Sequence, residues 1–333
     1  MSRLLEVEDL QVHYGRPGAP GTVKAVDGLS FGVERGRTLG LVGESGCGKS
    51  TTGYAILQLI RPTAGRVLFD GTDLCRLDAS ALRRMRRKVQ IIFQDAHASL
   101  NPRLPIGDLV GEALDIHGLA RGAARGRRIR ELLDLVGLAG HLIERYPHEL
   151  SGGQAQRVAI CRALAVEPEL IVCDEPVSAL DVSIQAQIVN LLQDLQQRLG
   201  LAYIFISHDL SVVRHMSDDI AVMYLGRIVE LAGKREIYAA PAHPYTRSLM
   251  SAVPVPDPDL EARRQRIILA GDLPDPARPP SGCRFRTRCP LAIADCATID
   301  PQAVALGERH WAKCLRLAEG SDPWTSPPTT STS

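Results

Sequence analysis

The 333-residue chain lacks several things that would narrow its class early. No apolar run approaches the ~18 residues that suggest a membrane-spanning helix. The N-terminus, MSRLLEVEDLQVHYG, carries Glu and Asp early and has no apolar signal core. The expectation is a cytoplasmic chain that serves a membrane, if at all, by docking to it. Net charge is only +1, which removes any global case for nucleic-acid binding. No internal repeat is visible. The cysteines include no C-x₂₋₄-C pair of the kind structural zinc sites use. The length suggests about two domains.

What is present begins with GESGCGKST at 43–51, which fits G-x-x-x-x-G-K-[ST]. Glycines permit close backbone approach, so successive N–H groups can point at phosphate oxygens. Lys49 would reach the β- and γ-phosphates, and the Ser50 hydroxyl would help hold Mg²⁺. The context agrees. TLGLVG (38–43) reads as a buried parallel strand, and STTGYAILQLI (50–60) as a helix with Ala55, Ile56, Leu59 and Ile60 apolar. A helix N-terminus beside the loop favours an anion.

The N-terminal stretches LLEVEDLQVHY and VKAVDGLSFGVERG alternate like antiparallel strands. Further strands are expected at RVLFDGTDL (66–74), VQIIF, LIVCD and AYIFIS, with helices between them. That alternation argues for a mainly parallel α/β core. Residues 103–148 read as mostly helical and interrupt the pattern, as an inserted subdomain would. Beyond about residue 240 the chain becomes Pro-rich, which suggests a separate, loop-rich extension. The tail EGSDPWTSPPTTSTS is low-complexity and is expected to be disordered.

Three further patterns point to phosphate chemistry. In LSGGQ (150–154), Ser151 can cap a helix whose start carries two glycines with accessible N–H groups. In LIVCDE (170–175), an apolar strand ends in two carboxylates: Asp174, suited to Mg²⁺, and Glu175, suited to polarising an attacking water. Gln94 and His208 follow two other apolar strands. Ligands of α/β sheets sit at the carboxyl ends of strands, so both are candidates to sense a γ-phosphate.

On these residues the sequence resembles an ATP-binding subunit of an ABC transporter, and more narrowly the ATPases of bacterial oligopeptide and dipeptide permeases. The resemblance is carried by GESGCGKST, IIFQDAHASLNPR (91–103), YPHELSGGQAQR (146–157), LIVCDEPVSALDVSIQAQ (170–187), ISHDLSVV (206–213), HPYTRSLMSAVPVPDP (243–258) and SGCRFRTRCP (281–290). It implies a P-loop NTPase core of ABC type with an N-terminal antiparallel β subdomain, the helical insertion at about 95–150 and a Cys-containing C-terminal extension. The ATPase domain would span 1–240, the extension 241–318 and the tail 319–333.

The resemblance also implies a head-to-tail sandwich of two ATPases around ATP and Mg²⁺. By position, Tyr14 would stack on adenine. Gly43, Glu44, Ser45, Gly46, Cys47, Gly48, Lys49, Ser50 and Thr51 would bind phosphates, with Ser50, Gln94 and Asp174 near Mg²⁺. Glu175 would be the catalytic base and His208 a γ-phosphate contact. Ser151, Gly152, Gly153 and Gln154 would serve the ATP of the opposite chain, and SALD (178–181) would link the two sites. Ala96 and Ala155 depart from the family pattern without touching this chemistry.

Implied partners are a second ATPase (a heterodimer is favoured), two transmembrane permease subunits and an extracytoplasmic solute-binding protein, with the chain on the cytoplasmic face of the inner membrane. Nickel chelates or sugars are alternative cargoes, and a regulatory ATP-binding subunit is an alternative role. Cys283, Cys289, Cys296 and Cys314 could hold an iron–sulphur cluster of 4Fe–4S type, as in some members of the family, or zinc, or remain free thiols.

Overall fold

The structure is a computed structural model and describes residues 3–15, 21–253 and 266–318. The Pro-rich stretch 254–265 and the tail 319–333, with its expected disorder, lie outside the described residues. Two sheets organise the chain. The first is antiparallel and formed by β1 (Arg3–Tyr14), β2 (Val23–Glu34), β4 (Ala64–Phe69) and β5 (Thr72–Asp73), in the order β2-β1-β4-β5. Alternation along β1 drives this: Leu5, Val7, Leu10 and Val12 point inward.

The second sheet holds β3 (Thr38–Val42), β6 (Val89–Ile92), β7 (Leu170–Asp174), β8 (Ala202–Ile206), β9 (Asp219–Tyr224) and β10 (Arg227–Gly233). It is completed by two short strands, β11 (Val304–Ala305) and β12 (Trp311–Ala312), in the order β11-β12-β10-β9-β3-β8-β7-β6. The five strands β9-β3-β8-β7-β6 are parallel. Strands β3, β7 and β8 are buried at every residue, as expected of a parallel sheet covered on both faces. One apolar cluster fills the space between the two sheets; a larger one runs from the other face of the parallel sheet into the helical region.

The helices cover this sheet. They are α1 (Lys49–Ile56), α2 (Ala79–Met85), α3 (Ala96–Ser99), α4 (Ile106–His117), α5 (Gly122–Leu135), α6 (Gly152–Leu164), α7 (Val182–Leu199), α8 (Leu210–Met216), α9 (Lys234–Ala239) and α10 (Pro244–Ser251). Helix α1 stops before residue 60. Gln58 adopts a left-handed φ of 54° and its side-chain amide donates to the Ala55 carbonyl at 2.8 Å, so Leu59 ends half exposed rather than in the core. Helices α3 to α5 and two short 3₁₀ turns form the helical insertion and deliver the chain to Ser151.

The C-terminal extension is loop-rich but not separate. Trp311 and Ala312 pair with Leu231 and Glu230, adding strands to the main sheet. Beneath them the fully buried Glu230 carboxylate accepts from the Ala242 and His243 amides at 2.8 Å each and meets His310 Nε2 at 2.8 Å. Among the described residues no helix is long and apolar enough to cross a membrane.

Candidate nucleotide site

The site forms where the parallel strands end. Strand β3 runs into the loop 43–48, whose shape needs glycine at two places. Gly43 has φ 151°, and a Cβ there would stand 2.3 Å from the Met223 carbonyl oxygen. Gly48 has φ 105°, and its Cβ would meet the Ala25 carbonyl at 2.1 Å. The loop then enters α1 directly, so the unpaired N–H groups at the helix start face the same space. Lys49 is buried, and its ammonium donates to the carbonyls of Gly43 at 2.8 Å and Glu44 at 3.0 Å. Ser45 and Gly46 form the loop's turn, and Thr51 continues α1. Cys47 faces inward at 1% exposure, so its contribution toward a phosphate is backbone only.

Strand β7 ends at Asp174. Ser50 Oγ donates to one of its oxygens at 2.8 Å and Tyr54 Oη to the other at 2.9 Å. Burial pushes the Asp174 carboxyl up, while the two hydroxyl donors oppose that rise. Burial, with the neighbouring carboxylate, pushes Tyr54 to about 12, so it stays a donor. Oxygen donors of this kind suit Mg²⁺, which binds through one or two carboxylates and phosphates while keeping waters. Ser50 and Asp174 therefore fit the ion that accompanies ATP.

Next to Asp174, the structure brings three expected residues together. Gln94 Nε2 donates to Glu175 Oε2 at 3.2 Å, and His208 Nδ1 lies 3.1 Å from the same oxygen. Glu175 is one of the few non-glycine residues with positive φ, at 47°. Its amide donates to the Ile206 carbonyl at 3.0 Å and its carbonyl accepts from Ser178 Oγ at 3.1 Å. Such over-determined strain is common at functional sites. It ends the strand line at the residue whose carboxylate meets Gln94 and His208.

Ser151 caps α6 through a reciprocal box: its N–H donates to Gln154 Oε1 at 3.0 Å, and the Gln154 N–H donates to Ser151 Oγ at 3.3 Å. Gly152 and Gly153 occupy the first turn, with Ser151 exposed. Tyr14 ends β1 at 45% exposure, with its ring available for stacking.

Sequence reasoning missed Tyr54, which sits in the expected α1 without a motif role, and Tyr245 and Arg288, which reach the loop from the far end of the chain. Tyr245 stands inside the HPYTR segment, a signal that was present but carried no chemistry of its own.

The four C-terminal cysteines converge: Cys283, Cys296 and Cys314 all count among the electrostatic neighbours of Cys289. Burial raises the thiols of Cys283 to about 11 and Cys289 to about 12. Among the described residues, however, no three His, Cys, Asp or Glu side chains are grouped to hold a metal ion. A zinc ion would need its thiolates about 3.8 Å apart, given Zn–S bonds of about 2.3 Å in a tetrahedron.

A glycine-rich loop with a buried lysine, a hydroxyl–carboxylate pair and a strained glutamate beside glutamine and histidine thus meet at one edge of the sheet, an arrangement suited to nucleotide hydrolysis. The comparisons narrow this. The ABC transporter family matches residues 26–178. The family described as oligopeptide/dipeptide transporter, C-terminal region, matches residues 229–296. A putative peptide import ATP-binding protein of Brucella ovis is 56% identical over 94% of this chain and 98% of its own length. The oligopeptide transport ATP-binding protein OppF of Salmonella typhimurium is 53% identical over 94% of this chain and 96% of its own.

Among solved structures, the dimeric, ADP- and phosphate-bound cassette MJ0796 superposes with a TM-score of 0.63 at 29% identity, covering 69% of this chain and 99% of that one. The cassette cbiO1 of Clostridium perfringens gives 0.64 at 28%, covering 72% and 92%. The chain belongs to the ABC transporter ATP-binding subunits, in the branch that carries the oligopeptide/dipeptide C-terminal region. It is an ATPase and uses ATP with Mg²⁺.

Proposed function

We propose that ATP hydrolysis at this site powers the import of peptides through a membrane transporter. The observation that carries the cargo reading is the C-terminal region, matched over residues 229–296 to the oligopeptide/dipeptide family. Relatives with peptide-import names match over nearly the whole chain and support the same reading.

In this reading residues 1–240 are the ATPase domain, with the helical insertion at about 95–150, and 241–318 the extension. Glu175 accepts a proton from the attacking water as it bonds to the γ-phosphorus. The bond to the β,γ-bridging oxygen breaks, and ADP and phosphate leave. Gln94 and His208 hold the Glu175 carboxylate and sense the γ-phosphate. Lys49 and the loop amides of residues 43–51, apart from that of Glu44, bind the β- and γ-phosphates, and Tyr14 stacks on adenine. Ser50 and Asp174, with Gln94, would hold Mg²⁺, which would supply charge neutralisation for the phosphates. Ser151, Gly152, Gly153 and Gln154 close on the ATP of the opposite chain.

That opposite chain is a second, different ATPase. The pair docks on two permease subunits at the cytoplasmic face of the inner membrane, supplied by an extracytoplasmic binding protein. An iron–sulphur centre at Cys283, Cys289, Cys296 and Cys314 is carried by the family resemblance alone, because the described thiols are not grouped to hold a metal; iron and acid-labile sulphide analysis of anaerobically purified protein tests it.

Mild-detergent purification of tagged chain from its native cells should return two multi-spanning proteins, a second ATPase and a binding protein. Vesicles reconstituted with that assembly should take up peptide only with hydrolysable ATP. Recovery of soluble partners alone would sink the transporter reading.

A further inference from the structure

Glu44 lies in the phosphate loop, yet it is held from outside it. Its N–H, which the sequence places in the cradle, donates instead to Tyr245 Oη at 2.9 Å. Its carboxylate takes Arg288 Nη1 at 2.7 Å. Its carbonyl accepts from Lys49 Nζ at 3.0 Å. One residue thus links the lysine that reaches phosphate to two residues of the C-terminal segment, 201 and 244 positions away.

Both ties are rigidly seated. Tyr245 is fully buried on α10. Its ring packs edge-on to Tyr224 at 4.8 Å and tilts against Phe285 at 5.4 Å; Phe285 in turn meets Tyr224 edge-on at 5.2 Å. The Arg288 side chain is 10% exposed, so its ion pair with Glu44 is shielded from water far more than a surface pair.

A third arm supports the floor beneath the loop. The Gly226 amide donates to the Cys47 carbonyl at 2.9 Å, and Arg284 donates to the neighbouring Leu225 carbonyl and pairs with Asp27. The loop therefore rests on the β9–β10 turn, and the extension clamps that turn.

We propose that Tyr245 and Arg288 are positioning residues for the phosphate loop, so that nucleotide affinity depends on the C-terminal extension being seated. The proposal rests on the ATP reading of the site and adds a control over it. Tyr245 and Arg288 act on the site through Glu44. They fix the Glu44 peptide, and through its carbonyl the resting place of the Lys49 ammonium. A loop released on this side samples conformations that it must give up on binding, which weakens affinity without changing the groups that act on the γ-phosphate.

The test is calorimetric titration of the full chain with ATPγS and Mg²⁺, paired with ATPase kinetics in the assembled transporter. Tyr245→Phe keeps the aromatic packing and removes only the hydroxyl. Arg288→Ala removes an electrostatic neighbour of Tyr224 but none of the cluster's rings, and keeps the test open if the first variant does not fold. For each, the dissociation constant and KM for ATP should rise about three- to tenfold, the loss of one net hydrogen bond, while kcat stays within about twofold. Arg288→Lys should recover part of the affinity, and Glu44→Gln combined with Arg288→Ala should be less than additive. Unchanged affinity in folded Tyr245→Phe and Arg288→Ala would overturn the proposal, with the ATP site intact. Failure of the unmodified chain to bind ATPγS would instead overturn the reading beneath it.

Discussion

The carboxyl edge of the parallel sheet and the C-terminal extension both gather polar groups, but they do so in opposite ways. At the sheet edge, Gln94 and His208 are exposed, Ser50 and Glu175 half-buried and Asp174 buried; they meet at two carboxylates, and Glu175 carries a strained backbone. In the extension, Glu230 is sealed at 0% exposure, with two amides and His310 around it, and its carboxyl is held low: burial opposes ionisation, and His310 with the N–H donors outweighs it. The first arrangement leaves acceptors free for a substrate. The second leaves none, and can only hold the chain together. The difference separates groups kept for chemistry from groups kept for seating.

The comparison can be tested most severely at Glu175. Glu175→Gln should lower ATP turnover of the assembled transporter by about 10²- to 10⁴-fold, as expected for loss of a general base, while ATP still binds. Turnover within tenfold of the unmodified complex would remove Glu175 from the chemistry. At the other pole, Glu230→Ala should leave the phosphate site's own residues in place but destabilise the fold by about 2–4 kcal/mol, because buried donors lose their acceptor. Thermal unfolding of the purified chain reads this directly, and an unchanged midpoint would mean the seat is dispensable.

A smaller effect concerns pH. Burial lowers His243 to about 4. The folded protein holds it neutral, with Nδ1 accepting from the Tyr245 amide at 3.1 Å. The unfolded chain takes up a proton near pH 6.5, so this group's stabilisation is complete above that pH and is lost as pH falls toward 4. His243→Asn keeps an acceptor at the start of α10 and removes the titration. The fall in melting temperature between pH 6.5 and 4 should become shallower; an identical slope would assign acid sensitivity elsewhere.

The sheet edge was legible in the sequence because each motif is local. G-x-x-x-x-G-K-S is one turn of backbone, and LIVCDE is one strand with its end. Nothing comparable marks the extension's attachment. Strands β11 and β12 are two residues each, too short to show a period, and Tyr245 and Arg288 find Glu44 across most of the chain. The end of α1 was misread because the apolar spacing continues to Ile60, whereas the left-handed backbone at Gln58 turns the chain out. The converging cysteines could be counted from sequence, but their mutual placement depends on loops that carry no pattern.

The position of β3 has a consequence for how the protein is made. This strand lies between β8 and β9, and the N–H of its first residue, Thr38, is satisfied by the Asp218 carboxylate at 2.8 Å, 180 residues later. On a ribosome adding about 5–20 residues each second, TLGLV waits roughly ten to forty seconds for its neighbours. During that interval a largely apolar strand has both backbone edges unpaired. The centre of the finished sheet is thus an aggregation-prone segment of the nascent chain, and its safe passage depends on chaperones or on the early antiparallel sheet covering it.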